Sequence, residues 1–299
     1  MPEELIVLSY AKVNYTLDIL SPRPDGFHNL ATVLQTVSLS DTIELRRKST
    51  AGIIFHCDAP GVPRDGSNLS YRAAESALRA GNCKEGLDIT VVKRIPSQAG
   101  LGGGSSNAAY TLAGVNTLFG LNLRLGTLVE LAVELGSDVP FFLSSGTASA
   151  RGRGEVVTAL PDGPPLWFII VKPDLNVSTR WAFNKLDSFS NRVSARSTRA
   201  MEERLGEGDA ERITARMTND FEQAVCAEHL EIALLLDDFH MARARNARLC
   251  GSGSAVFGVA YSEPEAEEVA RIMRLKYSSV FVCRAVRRDE ALTMGTFPE

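Results

Sequence analysis

The sequence predicts an α+β protein in two layered halves, and three observations predict it. Strand-like and helix-like runs alternate through both halves of the 299-residue chain, which is the pattern of sheets covered by helices. A breaker cluster, PDGPP at 161–165, interrupts that alternation near the middle and marks a division into 1–160 and 161–299. A strand-like run at 87–92 passes through Pro96 into a loop with Gly100, Gly102, Gly103 and Gly104. Helical apolar spacing follows at Ala108, Leu112, Val115 and Phe119. A chain of this length supports two domains, or one large one, with a real core.

Composition excludes several classes. Hydrophobic content of 44% with 23% charged residues is ordinary for a soluble globular protein. The net charge of −4 argues against a nucleic-acid partner, which leaves a basic footprint. The groups Arg243, Arg245, Arg248 and Arg284, Arg287, Arg288 read first as solvated faces. Five cysteines are scattered without CxxC spacing, which favours a reducing compartment over a disulfide framework or a zinc site. The N-terminal MPEELIVLSYAK carries acidic residues ahead of a short apolar run, unlike a signal peptide. Apolar runs such as LWFIIV are too short to span a bilayer. The expectation is a cytoplasmic protein with no membrane or nucleic-acid partner.

Taken in order, residues 6–20 form a long bent strand. Ala11, Val13, Tyr15, Leu17 and Ile19 line one face, and Lys12, Asn14, Thr16 and Asp18 the other. A solvated outer face would explain the polar set as well as a functional one. The turn SPRPDGFHNL carries Phe27 and His28 at its exit. Residues 32–46 read as further strands with a turn near Ser40 and Asp41, and 53–57 as a short strand. A helix is predicted over 68–80, with Ser67 or Asn68 as cap and Gly81 as stop. The strand at 87–95, the glycine loop with its helix to Phe119, and a helix over 125–135 ending at Gly136 follow. Asp138 stands before Pro140, where an N-cap is the structural explanation.

A hairpin is predicted over 147–151 and 155–160, a buried strand over 166–172 and a helix over 179–185. Residues 188–199 read as a polar, mobile connection. Helices are predicted over 198–205, 210–218 and 221–243. Two short strands broken by Gly251-Ser252-Gly253-Ser254, a helix over 264–276 and a strand over 280–286 complete the chain.

The glycine loop has a chemistry of its own. Each glycine costs about 0.5–1 kcal/mol relative to alanine in a regular element, so four in five positions is an expensive plain connection. The cost is explained if backbone N–H groups must approach an anion at a helix N-terminus. Ser105 and Ser106 supply hydroxyls for capping, phosphate binding or Mg²⁺. The loop lacks the Lys-Ser/Thr ending of the Walker motif and the protein-kinase glycine pattern.

Three strings, SYAKVNYTLDI, PSQAGLGGGSSNAA and LCGSGSAVFG, in that order, resemble the three motifs of the GHMP kinase superfamily of small-metabolite kinases. RPDGFHNL, TVLQTVSLSDTIEL, LGSDVPFFL and ARGRGE resemble, more narrowly, its branch acting on a cytidine-diphosphate-linked methylerythritol in non-mevalonate isoprenoid synthesis. The resemblance spans Lys12 to about Gly258. It implies a two-domain fold, with a ribosomal-protein-S5-like N-terminal domain and a ferredoxin-like C-terminal one, and an ATP- and Mg²⁺-dependent kinase.

It also implies residue roles. Asp138 is the base and Lys12 its partner, while Asn14 contacts the substrate. Phe27, His28 and Phe183 hold the cytosine, with Thr179 nearby and Gly251, Ser252 and Gly253 completing the substrate side. Gly100, Leu101, Gly102, Gly103, Gly104, Ser105 and Ser106 hold the ATP phosphates. Asn68, Lys93 and Asn107 place the nucleotide. Ser105 or Ser106 is the candidate Mg²⁺ ligand. The implied partner is a small molecule, and the chain a monomer or weak homodimer. Tyr10, Phe27 and Cys250 depart from the residues frequent in the family, namely proline, tyrosine and a small polar residue. Homoserine- or mevalonate-type kinases and a non-catalytic sensor of the same fold are the rival readings.

Overall fold

The computed structural model describes residues 2–189 and 194–293. Two long antiparallel strands, β1 (Glu4–Pro22) and β2 (His28–Lys48), form the spine of the first sheet. Then come β3 (Ile53–Cys57), helix α1 (Leu69–Ala80), β4 (Gly86–Val92), α2 (Gly103–Phe119), α3 (Leu125–Leu135), the short α4 (Val139–Ser144) and the hairpin β5 (Thr147–Gly152)–β6 (Val156–Ala159). The remainder is β7 (Trp167–Val171), α5 (Thr179–Asp187), α6 (Thr198–Leu205), α7 (Ala210–Ala215), β8 (Thr218–Asn219), α8 (Phe221–Glu228), α9 (Leu230–Met241), β9 (Ala247–Leu249), β10 (Val256–Ala260), α10 (Glu263–Met273), β11 (Val280–Arg284) and α11 (Arg288–Thr293).

The first sheet runs β3-β4-β2-β1-β8, with β5 pairing an end of β2 and β6 pairing β5. The second is antiparallel, ordered β11-β7-β10-β9. The continuous apolar run of β7 is explained by burial on both faces. Phe168 and Ile170 pack with Ala11, Val13 and Tyr15 of β1, whereas Ile169 and Val171 face Phe239, Val269 and other helical residues. Helix α2 is buried almost all round, so closely that a Cβ on Gly114 would lie 2.4 Å from Leu45 Cδ1.

Several expectations are corrected. Ser40 and Asp41 do not turn the chain: β2 runs straight through them, and the register with β1 shifts between Tyr10 and Ala11. The turn-forming residue types instead mark a bulge. The helix expected over 221–243 is two, broken at His229 with φ −119° and ψ 85°. The one expected over 210–218 stops at Ala215, because Thr218 and Asn219 pair in parallel with Thr16 and Leu17 of β1. Of the mobile connection expected over 188–199, residues 190–193 lie outside the described residues. Thr198 is firmly held, its N–H donating to Asp18 Oδ2 at 2.9 Å. Among the described residues no helix is long and apolar enough to cross a membrane.

Candidate active site

The polar side of β1, opposite the face packed on the second sheet, builds the floor of a cleft. Those residues are not a solvated face: Lys12 is 4% exposed and Asn14 3%. The Lys12 ammonium donates to Asn14 Oδ1 at 2.7 Å, Asn14 Nδ2 to Thr32 Oγ1 at 2.8 Å, and the Thr32 hydroxyl to the Thr16 carbonyl at 2.5 Å. Each member of such a buried chain is costly to leave unpaired, so the chain fixes its own rotamers. Burial pushes the Lys12 ammonium below the usual lysine value, and the Asp138 carboxylate pulls it part of the way back.

The glycine loop is pinned from two sides. Lys12 N–H donates to the Leu101 carbonyl at 3.1 Å. Gly100, at φ +74°, packs so tightly that a Cβ there would lie 1.8 Å from the Cys250 carbonyl oxygen. Ser254 and Ala255 donate backbone N–H groups to the Gln98 and Ala99 carbonyls, at 3.3 Å each. The three strings of the sequence therefore meet at one place. Gly102, left-handed at φ 72°, is the N-cap of α2, with no side-chain cap. The amides at the start of α2 are thus open toward the cleft, as an anion requires.

Neither serine caps the helix, contrary to one of the uses expected for them. Ser106 is fully buried, donating to the Tyr10 carbonyl at 2.6 Å. Ser105 lines the cleft. Gly104 also lines it, the nearest atom to an added Cβ being Leu69 Cδ1 at 3.9 Å. At Gly103 a Cβ would meet Ile95 and the Lys93 ammonium at 3.0 and 3.2 Å. Lys93 is paired with the fully buried Asp41, whose Oδ1 accepts the N–H groups of Arg94 and Ile95 at 2.7 and 2.8 Å. Asn68 caps α1, accepting from Ser70 N–H at 2.8 Å, and Asn107 Oδ1 accepts from Ser9 at 2.7 Å.

Asp138 occupies the N-cap position of α4, yet its side chain makes no cap hydrogen bond. The carboxylate is exposed, lines the cleft, and lies 3.6 Å from where a Cβ on Gly154 would stand. At the other end, Phe27 is 53% exposed, with the Arg153 guanidinium 5.1 Å over its ring. His28 is buried and stacks on Phe183, centroids 4.9 Å apart and planes 16° apart. Its Nε2–H donates to Asp187 Oδ1 at 2.9 Å. Thr179 and Ser252 hydroxyls are 2.9 Å apart. Asn219 holds the second glycine loop, donating to the Leu249 and Gly251 carbonyls at 2.8 and 2.7 Å.

The two glycine loops, Lys12, Asn14, Asp138, Phe27, His28 and Phe183 all contribute to the wall of one cavity of about 660 Å³, while Asp41, Asp187 and Asn219 support it from behind. Of the residues expected from sequence, Ser106 and Gly253 lie off its wall: Ser106 ties α2 to β1, and Gly253 N–H turns back to the Cys250 carbonyl at 2.8 Å. Sequence reasoning passed over Thr32, Asp41, Arg153, Asp187 and Asn219. Arg153 stands inside the string ARGRGE and was a legible signal, whereas Asp41 reads as part of a turn.

The sequence profile of the GHMP kinases N terminal domain matches residues 68–146. The chain is 40% identical over 269 residues to the 4-diphosphocytidyl-2-C-methyl-D-erythritol kinase of Geobacter metallireducens, covering 90% of this chain and 94% of that one. It superposes on a crystal structure of 4-(cytidine 5'-diphospho)-2C-methyl-D-erythritol kinase with a TM-score of 0.79 and 31% identity, covering 94% of this chain and 100% of that one. Homoserine kinase from Cytophaga hutchinsonii shares the fold, with a TM-score of 0.76 at 19% identity over 96% of each chain. The chain belongs to the 4-diphosphocytidyl-2-C-methyl-D-erythritol kinases, within the GHMP kinases.

Proposed function

We propose that the cleft transfers the γ-phosphoryl group of ATP to the 2-hydroxyl of 4-diphosphocytidyl-2-C-methyl-D-erythritol. One observation carries the reading: a single cavity joins an open helix N-terminus, the Lys12–Asn14 floor with Asp138, and an aromatic end at Phe27, His28 and Phe183. Phosphoryl transfer is mainly positioning and charge stabilisation, and each part has a place in it. The amides at Gly102, Gly103 and Gly104 cradle the donor phosphates, with Lys93, Asn68 and Asn107 around the nucleotide. Asp138 accepts the hydroxyl proton as the oxygen bonds to phosphorus. A free carboxylate, with a reference pKa of about 3.9, is a weak base, so this transfer comes late. Lys12, held by Asn14, offsets charge on the moving group. The aromatic end selects a nucleobase by stacking, which is worth about 1–3 kcal/mol per base.

Mg²⁺ would enter on the nucleotide, since it keeps most of its waters and takes one or two protein oxygens. Of the two serines implied as its ligand, Ser105 lines the cavity and Ser106 does not. Bound there, the ion supplies charge neutralisation of the phosphates. The reading includes a division of the chain at residues 160 and 161, since all four strands of the second sheet follow it.

The test is a phosphorylation assay run in parallel on the cytidine-linked substrate, homoserine and mevalonate. Turnover of the first, with competition by CDP, is expected. Turnover of homoserine or mevalonate instead would overturn the reading. Ligand binding without any turnover would point to a sensor.

A further inference from the structure

We propose that Asp187 makes the site choose cytosine over uracil, by holding His28 in the tautomer whose Nδ1 accepts a hydrogen bond. The inference rests on the cleft being a cytidine site, and concerns a residue that acts through another.

The geometry is specific. Phe183 and Asp187 are four residues apart on α5, so they share one face of that helix. Both contact the same imidazole. Phe183 stacks on His28 at 4.9 Å, and Asp187 Oδ1 takes its Nε2–H at 2.9 Å. With His28 buried, the ring is held in plane by one partner and in rotation by the other. The location of Asp187 is itself informative. It is the last residue of α5, where the helix dipole disfavours a negative charge, and the bond to His28 offsets that cost.

A carboxylate is an acceptor only, so the bond places the proton on Nε2, and a neutral imidazole then offers a lone pair at Nδ1. Charge assistance makes this bond stronger than one to a neutral acceptor. His28 Nδ1 makes no hydrogen bond to a described residue, and His28 lines the cavity. Cytosine and uracil differ on the edge such an acceptor meets, cytosine presenting an amino donor where uracil presents a carbonyl oxygen. An acceptor at Nδ1 pairs with the first and opposes the second. Leaving two buried acceptors face to face corresponds to a preference of about 10–100-fold. Without Asp187 the proton is free to move to Nδ1, and the same ring would then donate to the uracil oxygen.

The experiment measures CDP and UDP binding to the full-length protein by calorimetry under mildly alkaline conditions. In the unsubstituted protein CDP should bind about 10–100-fold more tightly than UDP. Asp187→Ala should bring the ratio to within about threefold of unity, while Asp187→Asn, whose amide oxygen still accepts Nε2–H, should keep most of it. A purely structural role would weaken both ligands together and leave the ratio unchanged, and that result overturns the proposal. Imidazole ¹⁵N chemical shifts of His28 give an independent reading. They should report Nε2–H in the unsubstituted protein and a tautomer mixture in Asp187→Ala; Nδ1–H in the former would overturn the proposal by itself. If CDP is not preferred in the unsubstituted protein, the cytidine reading falls as well, whichever tautomer the shifts report.

Discussion

Gly100 and Gly104 stand four residues apart in one loop, and alanine at each should do opposite things. At Gly100 the backbone is left-handed and a Cβ would lie 1.8 Å from the Cys250 carbonyl oxygen. Ordinary contact begins at 3.4 Å, so the two loops must part by about 1.6 Å, the difference between those distances. Parting stretches the Ser254–Gln98 and Ala255–Ala99 backbone bonds, both already 3.3 Å. Losing each costs about 0.5–1.5 kcal/mol, and an L-residue at positive φ adds about 1–2 kcal/mol, so Gly100→Ala should destabilise by roughly 2–5 kcal/mol. At Gly104 the space beside the helix is open and alanine is a better helix former by about 0.8–1.0 kcal/mol. Gly104→Ala should therefore hold or gain stability, yet raise the KM for ATP, because its methyl group occupies ground needed by phosphate. Urea denaturation and ATP kinetics on both variants decide the matter. Unimpaired stability in Gly100→Ala would refute the packing argument, and an unchanged KM in Gly104→Ala would refute the phosphate cradle.

Three further outcomes are expected. Asp138→Asn should keep the fold, since the aspartate side chain makes no cap bond, and lower kcat by about 10²–10⁴-fold, the usual worth of a general base; near-normal turnover would remove Asp138 from that role. Lys12 should give stability and activity opposite pH trends. Its folded value lies below 10.5, so the unfolded chain binds more protons in the window between the two values, and stability rises with pH there. Turnover needs the charged form and should fall across the same window. Lys12→Met should flatten the stability trend in denaturation measured against pH. Phe27→Ala should weaken CDP competition by about 1–3 kcal/mol, the worth of one stacking platform, with little effect on the KM for ATP; equal losses for both ligands would argue against a separate base site.

Most of this site was legible because its chemistry is local. The glycine loop, PDG followed by Phe27 and His28, and Asp138 before Pro140 are each a contiguous string whose residue types announce what they can do. The polar half of β1 was ambiguous, since alternation alone cannot distinguish water from a second protein layer on the far face. The second sheet covers the apolar face, and only the two glycine loops, at Gly102 and Gly251, decide that Lys12 on the other face is buried. The misses share one cause. Asp41 holding the start of the loop, Asn219 holding the second glycine loop and Asp187 holding His28 act on partners 52, 32 and 159 residues away. Nothing in the immediate sequence distinguishes such residues from surface polar ones. The broken helix at His229 was hidden for the same reason, apolar periodicity continuing on both sides of the break.

The strand β1 belongs to every core of the molecule. Val7 and Tyr10 pack under the first helical layer, Ala11, Val13 and Tyr15 between the sheets, and Leu17 and Ile19 among the helices of the second half. It also carries the parallel pairing with β8. A polypeptide starting at residue 161 would lack the apolar plug formed by Leu17 and Ile19 and the edge on which Thr218 and Asn219 rest. Sequence division and cooperative unit therefore do not coincide in this chain. The first glycine loop, the Lys12–Asn14 floor and the turn to Phe27 and His28 are fastened to one ribbon, so a ligand at either end of the cleft should raise the unfolding temperature of the whole protein in one transition.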